Sequence, residues 1–186
     1  KCIFAHHDTR PGGGWGQAGQ EYNTGGIWND VTLVVSDYAT VDSLQLRAEW
    51  PDGSGGAEGQ GSGGAEERRD ALLIARALLT NHANDDAEVV VTLTLAPRNF
   101  EGGETYTLTQ ALTLLPGKNT VELSGTIPGP RLWWPWDRGD PNLYTARLTV
   151  TEAGQAIAAH ETAFGFREIR VDRDWTWWLN GQRFFP

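Results

Sequence analysis

From Val41 to Trp50, Leu44, Leu46 and Ala48 alternate with Gln45, Arg47 and Glu49, the period of two expected of a strand with one buried face. The pattern returns from Glu88 to Leu95, with Val89, Val91, Leu93 and Leu95 on one face and Thr92 and Thr94 on the other. Tyr106 to Leu115 repeats it through Leu108, Leu112 and Leu114. Val31 to Val35, a segment opening with Val121 and Leu123, Leu143 to Thr151 and Ala156 to Phe166 also read as strands. Pro116-Gly117-Lys118-Asn119 and Ala153-Gly154 mark turns between neighbours. In Ala71 to Thr80, propensity favours helix because Ala, Leu and Arg are good helix formers. Leu72, Ile74 and Leu78 also keep a period of two there, and the β-rich context favours a strand. Asn180-Gly181, between Trp177-Trp178-Leu179 and Arg183-Phe184-Phe185, suits a two-residue type I′ hairpin. Short strands at turn-punctuated intervals predict an all-β chain folded as an antiparallel β-sandwich.

Two stretches interrupt the pattern. Residues 1–30 are rich in Gly, Gln and Asn around Trp15, Tyr22 and Trp28, with Gly12-Gly13-Gly14 and Gly25-Gly26 suited to a shaped loop or irregular strand end. Residues 51–66 are dominated by glycine and serine and bury too little apolar area to offset their ordering entropy. They read as a mobile loop inserted between strands, with a linker between two domains as the alternative.

Composition narrows the roles. At 186 residues the chain holds one good core, with fragments of neighbours attached. Fifteen Lys and Arg against 24 Asp and Glu give a formal charge of -9, a surface that repels phosphate backbones and anionic lipid. Neither nucleic acid nor a membrane is an expected partner, and no apolar run approaches the ~20 residues of a membrane span. Cys2 is the single cysteine, so no internal disulfide forms. His6-His7-Asp8 lacks the further ligands of a metal site, and Gly12-Gly13-Gly14 followed by Gly16 lacks the lysine and helix of a phosphate loop. No metal and no cofactor is expected. The absence of methionine and the ends at Lys1-Cys2 and Phe185-Pro186 read as those of a piece of a longer protein.

The densest feature is Leu132-Trp133-Trp134-Pro135-Trp136. As a binding surface, Trp133, Trp134 and Trp136 would stack on sugar rings. As structure, they would cap the sandwich or bury against a neighbouring domain, and their close spacing favours this second role.

Taken in order, Trp134-Pro135, Pro141-Asn142-Leu143-Tyr144, Phe164-Gly165-Phe166-Arg167-Glu168-Ile169 and Leu179-Asn180-Gly181 with Phe184-Phe185 resemble the glycoside hydrolase family 2 enzymes: β-galactosidases, β-glucuronidases and β-mannosidases. Gly25-Gly26-Ile27-Trp28-Asn29-Asp30-Val31 is similar to the segment by which those enzymes leave their sugar-binding jelly-roll domain. The doubled Trp133-Trp134 looks more like the mannosidase side. Two departures are the glycine-rich insertion and Asn29 where arginine is frequent.

The resemblance implies an immunoglobulin-like β-sandwich over residues 31–170, the end of a jelly-roll domain over 1–30, and the first hairpin of a catalytic barrel over 171–186. It also implies that the paired catalytic glutamates of a retaining glycosidase, about 5–5.5 Å apart, lie beyond Pro186. The chain alone is then inactive, since Glu66-Glu67 and Asp85-Asp86 read as solvated charge. Gln20, Glu21, Tyr22 and Asn23 are its candidates for substrate contact. Trp15, Trp28, Trp133, Trp134, Trp136, Trp177 and Trp178 are its candidate interface or stacking aromatics. Arg167 is placed either to reach a carboxylate at a domain boundary or to form a surface ion pair. The expected partners are carbohydrate, through the longer enzyme, and that enzyme's jelly-roll and barrel domains. The rival roles are a stand-alone carbohydrate-binding module and a protein-binding immunoglobulin-like scaffold.

Overall fold

The computed structural model describes residues 31, 33, 36–50 and 69–185, and every described strand belongs to a compact unit beginning at Ser36. Ten strands follow in order: β1 (Ala39–Glu49), β2 (Ala71–Asn81), β3 (Ala87–Pro97), β4 (Tyr106–Leu114), β5 (Gly117–Ile127), β6 (Tyr144–Glu152), β7 (Gln155–Phe164), β8 (Ile169–Val171), β9 (Trp177–Leu179) and β10 (Gln182–Phe184). All pairings between them are antiparallel. One sheet runs β1-β2-β5 and the other β4-β3-β6-β7, with one core cluster between them. The small sheet β10-β9-β8 closes the chain.

Period-two burial builds the core. Val89, Val91, Leu93 and Leu95 of β3 lie beside Val150, Leu148 and Ala146 of β6 on the same inner face and join the buried face of β2 in one core cluster. The segment over 71–81 is a strand: helix propensity yields to its place between β1 and β5, where both edges are hydrogen-bonded. Its buried face carries Ala71, Leu73, Ala75, Ala77 and Leu79, opposite to the Leu72, Ile74 and Leu78 set singled out from sequence. Those three are half-buried, aligned across the ladder with Glu49, Arg47 and Ser43. Asn81 ends β2 fully satisfied: its amide donates to Asp85 and Leu114 carbonyls and accepts from the Ala83 N–H.

Three expectations are adjusted. Val31 and Leu33 are exposed and in no strand, while 32, 34 and 35 lie outside the described residues, as does the glycine-rich stretch. The final strand pair gains a third member, β8, too short and exposed to stand out in sequence and held by its ladder to β9. The strand expected to reach Phe166 ends at Phe164, because Leu132 and Phe166 form a parallel bridge instead.

The β6–β7 turn has positive φ at both central residues, Ala153 at 47° and Gly154 at 82°. Left-handed backbone costs alanine about 1 kcal/mol and asparagine less. Ala153→Asn is expected to raise stability by about 0.5–1 kcal/mol, read as a higher denaturant midpoint at unchanged m-value.

Tyr38, just ahead of β1, has a buried hydroxyl without a hydrogen-bond partner. Burial first, and then the neighbouring Glu152 carboxylate, push its pKa up to about 12 from 10.0. Because the folded value is the raised one, the unfolded tyrosine ionises first, so folding stability is unaffected by this group below pH 10.0 and falls as pH climbs to about 12. Wild type should lose stability through that window more steeply than Tyr38→Phe in denaturation at stepped pH.

Candidate functional site

The sequence motifs meet at one end of the sandwich. The Trp133 N–H bonds the Phe166 carbonyl at 2.8 Å and Trp133 forms an antiparallel bridge with Pro141. Within the turn, Trp134 N–H reaches the Asp140 carbonyl at 3.0 Å and Arg138 N–H the Pro135 carbonyl at 2.9 Å. Asn142 donates to the Leu132 carbonyl at 3.0 Å. Asn99, in the β3–β4 connection, donates to Pro141 and accepts from Leu143 N–H at 2.8 and 2.7 Å. The aromatic loop is therefore a hydrogen-bonded turn rather than a free strap.

Each motif residue has a contact that explains it. Phe100, Tyr144, Phe166 and Phe164 form a run of edge-to-face rings with centroids 5.0, 5.2 and 5.0 Å apart. Tyr144 also accepts the Arg131 N–H at 2.9 Å through its hydroxyl. Gly165 lets Trp133 lie on its backbone, where an added Cβ would sit 2.9 Å from the Trp133 Cβ. Gly139 gives the same room to Trp134, at 3.0 Å. Among the described residues Arg167 forms no ion pair: its guanidinium lies over the Trp133 ring, 5.0 Å from the centroid.

Asn180 ties the terminal sheet to this end. At φ 47° in the hairpin turn, it accepts Glu168 N–H at 2.8 Å and donates to the Trp133 carbonyl at 2.9 Å, while its own N–H bonds the Glu168 carbonyl. Arg138 adds a second tie, donating to the Arg183 carbonyl at 2.8 Å with its guanidinium over Phe184. Inside the small sheet Asp172 accepts from Trp178 Nε1 and Arg170 at 2.6 and 2.8 Å.

The candidate tryptophans do not share one environment. Trp134 is 6% exposed, Trp133 and Trp178 are half-buried, and Trp136 is 88% exposed. Trp177, Ile169, Val171 and Phe185 are exposed on the terminal segment, as is Trp175, which holds φ 63° in the β8–β9 loop. Gln20, Glu21, Tyr22, Asn23, Trp15 and Trp28 lie outside the described residues. Asp85 and Asp86 are exposed in a turn.

Sequence reading missed two places. On the outer face of β1 and β2, Asp42 accepts Thr40 and Thr80 hydroxyls at 2.9 and 2.6 Å, and Thr40 Oγ1 lies 3.1 Å from His82 Nε2. Those hydroxyl bonds hold Asp42 below the usual carboxylate range. The hydroxyl proton is already given to the carboxylate, so the imidazole is not placed to take it, and the trio reads as a surface cluster. The second place is a cleft beside Arg131, lined also by Gly102, Glu104, Tyr106 and Tyr144. No local pattern could have paired Arg131 with a loop about thirty residues upstream.

The family model described as "Glycosyl hydrolases family 2" matches residues 64–167. An exo-beta-D-glucosaminidase of Hypocrea jecorina is 26% identical over 148 residues, 79% of this chain and 15% of that protein. Beta-mannosidase A of Aspergillus terreus is 33% identical over 70 residues, 33% of this chain and 8% of that protein. Among solved structures, a putative beta-galactosidase of Bacteroides fragilis superposes with TM-score 0.60 at 16% identity, covering 80% of this chain and 20% of that one. A beta-glucuronidase of Bacteroides uniformis gives TM-score 0.58 at 20% identity, over 79% and 16%. The chain thus spans about 15% of the length of the first curated relatives it matches.

Proposed function

The chain belongs to glycosyl hydrolase family 2, and on that premise we propose that it is the non-catalytic immunoglobulin-like domain that positions a sugar-binding jelly-roll against a catalytic barrel. The observation that carries this is the junction at Asn180. A three-stranded sheet is clamped to the sandwich by Asn180 and Arg138 while Trp175, Phe185, Ile169 and Val171 stay exposed. An exposed apolar surface held on a rigid mount suits a wall for an adjoining domain. Residues 1–30 would be the end of the jelly-roll and 171–186 the start of the barrel.

Rigid mounting matters because an error of about 1 Å in positioning can cost on the order of 100-fold in rate. In the longer protein, loosening the junction by Asn180→Ala is expected to lower kcat/KM toward a chromogenic β-glycoside by at least about 10-fold. The names of the curated relatives put amino-sugar and mannose β-glycosides first among its candidate substrates. The 186-residue chain alone is expected to leave such a glycoside intact. Hydrolysis by the chain alone, or full activity in the Asn180→Ala enzyme, would sink the reading. A stand-alone carbohydrate-binding role keeps one supporting observation, the exposed indole of Trp136.

A further inference from the structure

Among the described residues, Arg131 forms no ion pair and sits in a partly desolvated setting. Its guanidinium carbon lies 5.0 Å from the centroid of Phe100, and its Nε is buried without a hydrogen-bond partner. It lines a cleft of about 320 Å³ between the β3–β4 and β5–β6 connections. Gly102, at φ 69°, packs beside the guanidinium: an added Cβ would sit 3.8 Å from Nη2, in ordinary van der Waals contact, so the glycine keeps that side of the cleft uncrowded. The two tyrosines of the cleft are committed to the frame: Tyr106 donates to the Pro128 carbonyl at 3.1 Å, and Tyr144 accepts the Arg131 N–H.

We propose that this cleft is a carboxylate-binding site anchored by Arg131. A guanidinium held over a ring presents its planar fork of N–H groups, which matches the two oxygens of one carboxylate. Removal of part of the cation from water strengthens its field in the cleft. A single-charged, planar anion fits better than phosphate, because Glu104 on the lining opposes a second negative charge. The volume accommodates a sugar acid, and a side-chain carboxylate from an adjoining domain would bring the same group. The site does not depend on the spacer role.

The test follows the Arg131 Nε–Hε resonance of the labelled 186-residue chain during titration with sodium acetate, sodium glucuronate and glucose at constant ionic strength. Saturable shifts with both carboxylates and none with glucose are expected. Binding should weaken about 10-fold or more in Phe100→Leu, which leaves the cation but removes its stacking surface, and tighten several-fold in Glu104→Gln. For Arg131→Lys, followed on the Gly102 amide, binding should weaken likewise. Glucuronate about 10-fold tighter than acetate assigns the cleft to a sugar acid, and equal affinities assign it to a bare carboxylate such as a neighbouring domain supplies. No saturable shift with either anion, in wild type and in Glu104→Gln, would overturn the proposal, as would binding undiminished by Arg131→Lys.

Discussion

Asn180→Ala is expected to release the terminal three-stranded sheet from the sandwich at a cost of about 3 kcal/mol. The side chain makes two hydrogen bonds, to Glu168 N–H and to the Trp133 carbonyl, in an 8% exposed position. Removing it strands both part-buried partners, at about 1 kcal/mol each, the low end of the cost of an unsatisfied group. Alanine adds about 1 kcal/mol of left-handed strain at φ 47°. What remains to oppose the opening is the Arg138 tie and the buried Leu179, because Ile169, Val171 and Phe185 are exposed. The loss is therefore local: amide exchange should accelerate about 100-fold at Glu168 and Leu179 while β3 and β6 keep their protection. Asn180→Gly, which keeps the backbone freedom, should recover about 1 kcal/mol. Uniform acceleration across the sandwich would show that the junction is not a separate unit.

Gly165→Val is expected to destabilise the chain by about 3 kcal/mol. The atom met by a new Cβ is the Trp133 Cβ at 2.9 Å, with Cγ at 3.1 Å, and an atom so near the backbone cannot rotate aside. Trp133 is fixed by its N–H bond to Phe166, whose ring is fully buried against Tyr144 and Phe164. The strain therefore enters the sandwich, and thermal or denaturant unfolding of the whole domain should shift. An unchanged unfolding midpoint would show that Trp133 can leave its place freely.

Much of this architecture was legible in the chain because its strands obey one rule, apolar in and polar out, seen most cleanly at Val89 to Leu95. The Asn180-Gly181 turn was legible because positive φ selects those residues. The face of β2 was not, since Leu72, Ile74 and Leu78 compete with Leu73 and Leu79 and alternation of apolar residues cannot choose between them. Tertiary packing buried the face with three alanines, Ala71, Ala75 and Ala77. The roles of Gly165 and Asn180 beyond a turn, and the stacking of Arg167 and Arg131, depend on contacts distant in sequence. The motifs marked the place where the chain converges without revealing which atoms touch.

In the spacer role proposed here, the domain positions its neighbours and neither cleaves a glycoside nor binds a neutral sugar. Titration of the 186-residue chain with neutral monosaccharides and β-linked oligosaccharides, followed by tryptophan fluorescence, addresses it most directly. Neutral sugars keep the Arg131 cleft out of the readout. The account predicts no saturable response below about 10 mM, a range in which stacking on an exposed indole would register. A saturable response abolished by Trp136→Ala would contradict it and make the domain a carbohydrate-binding module in its own right.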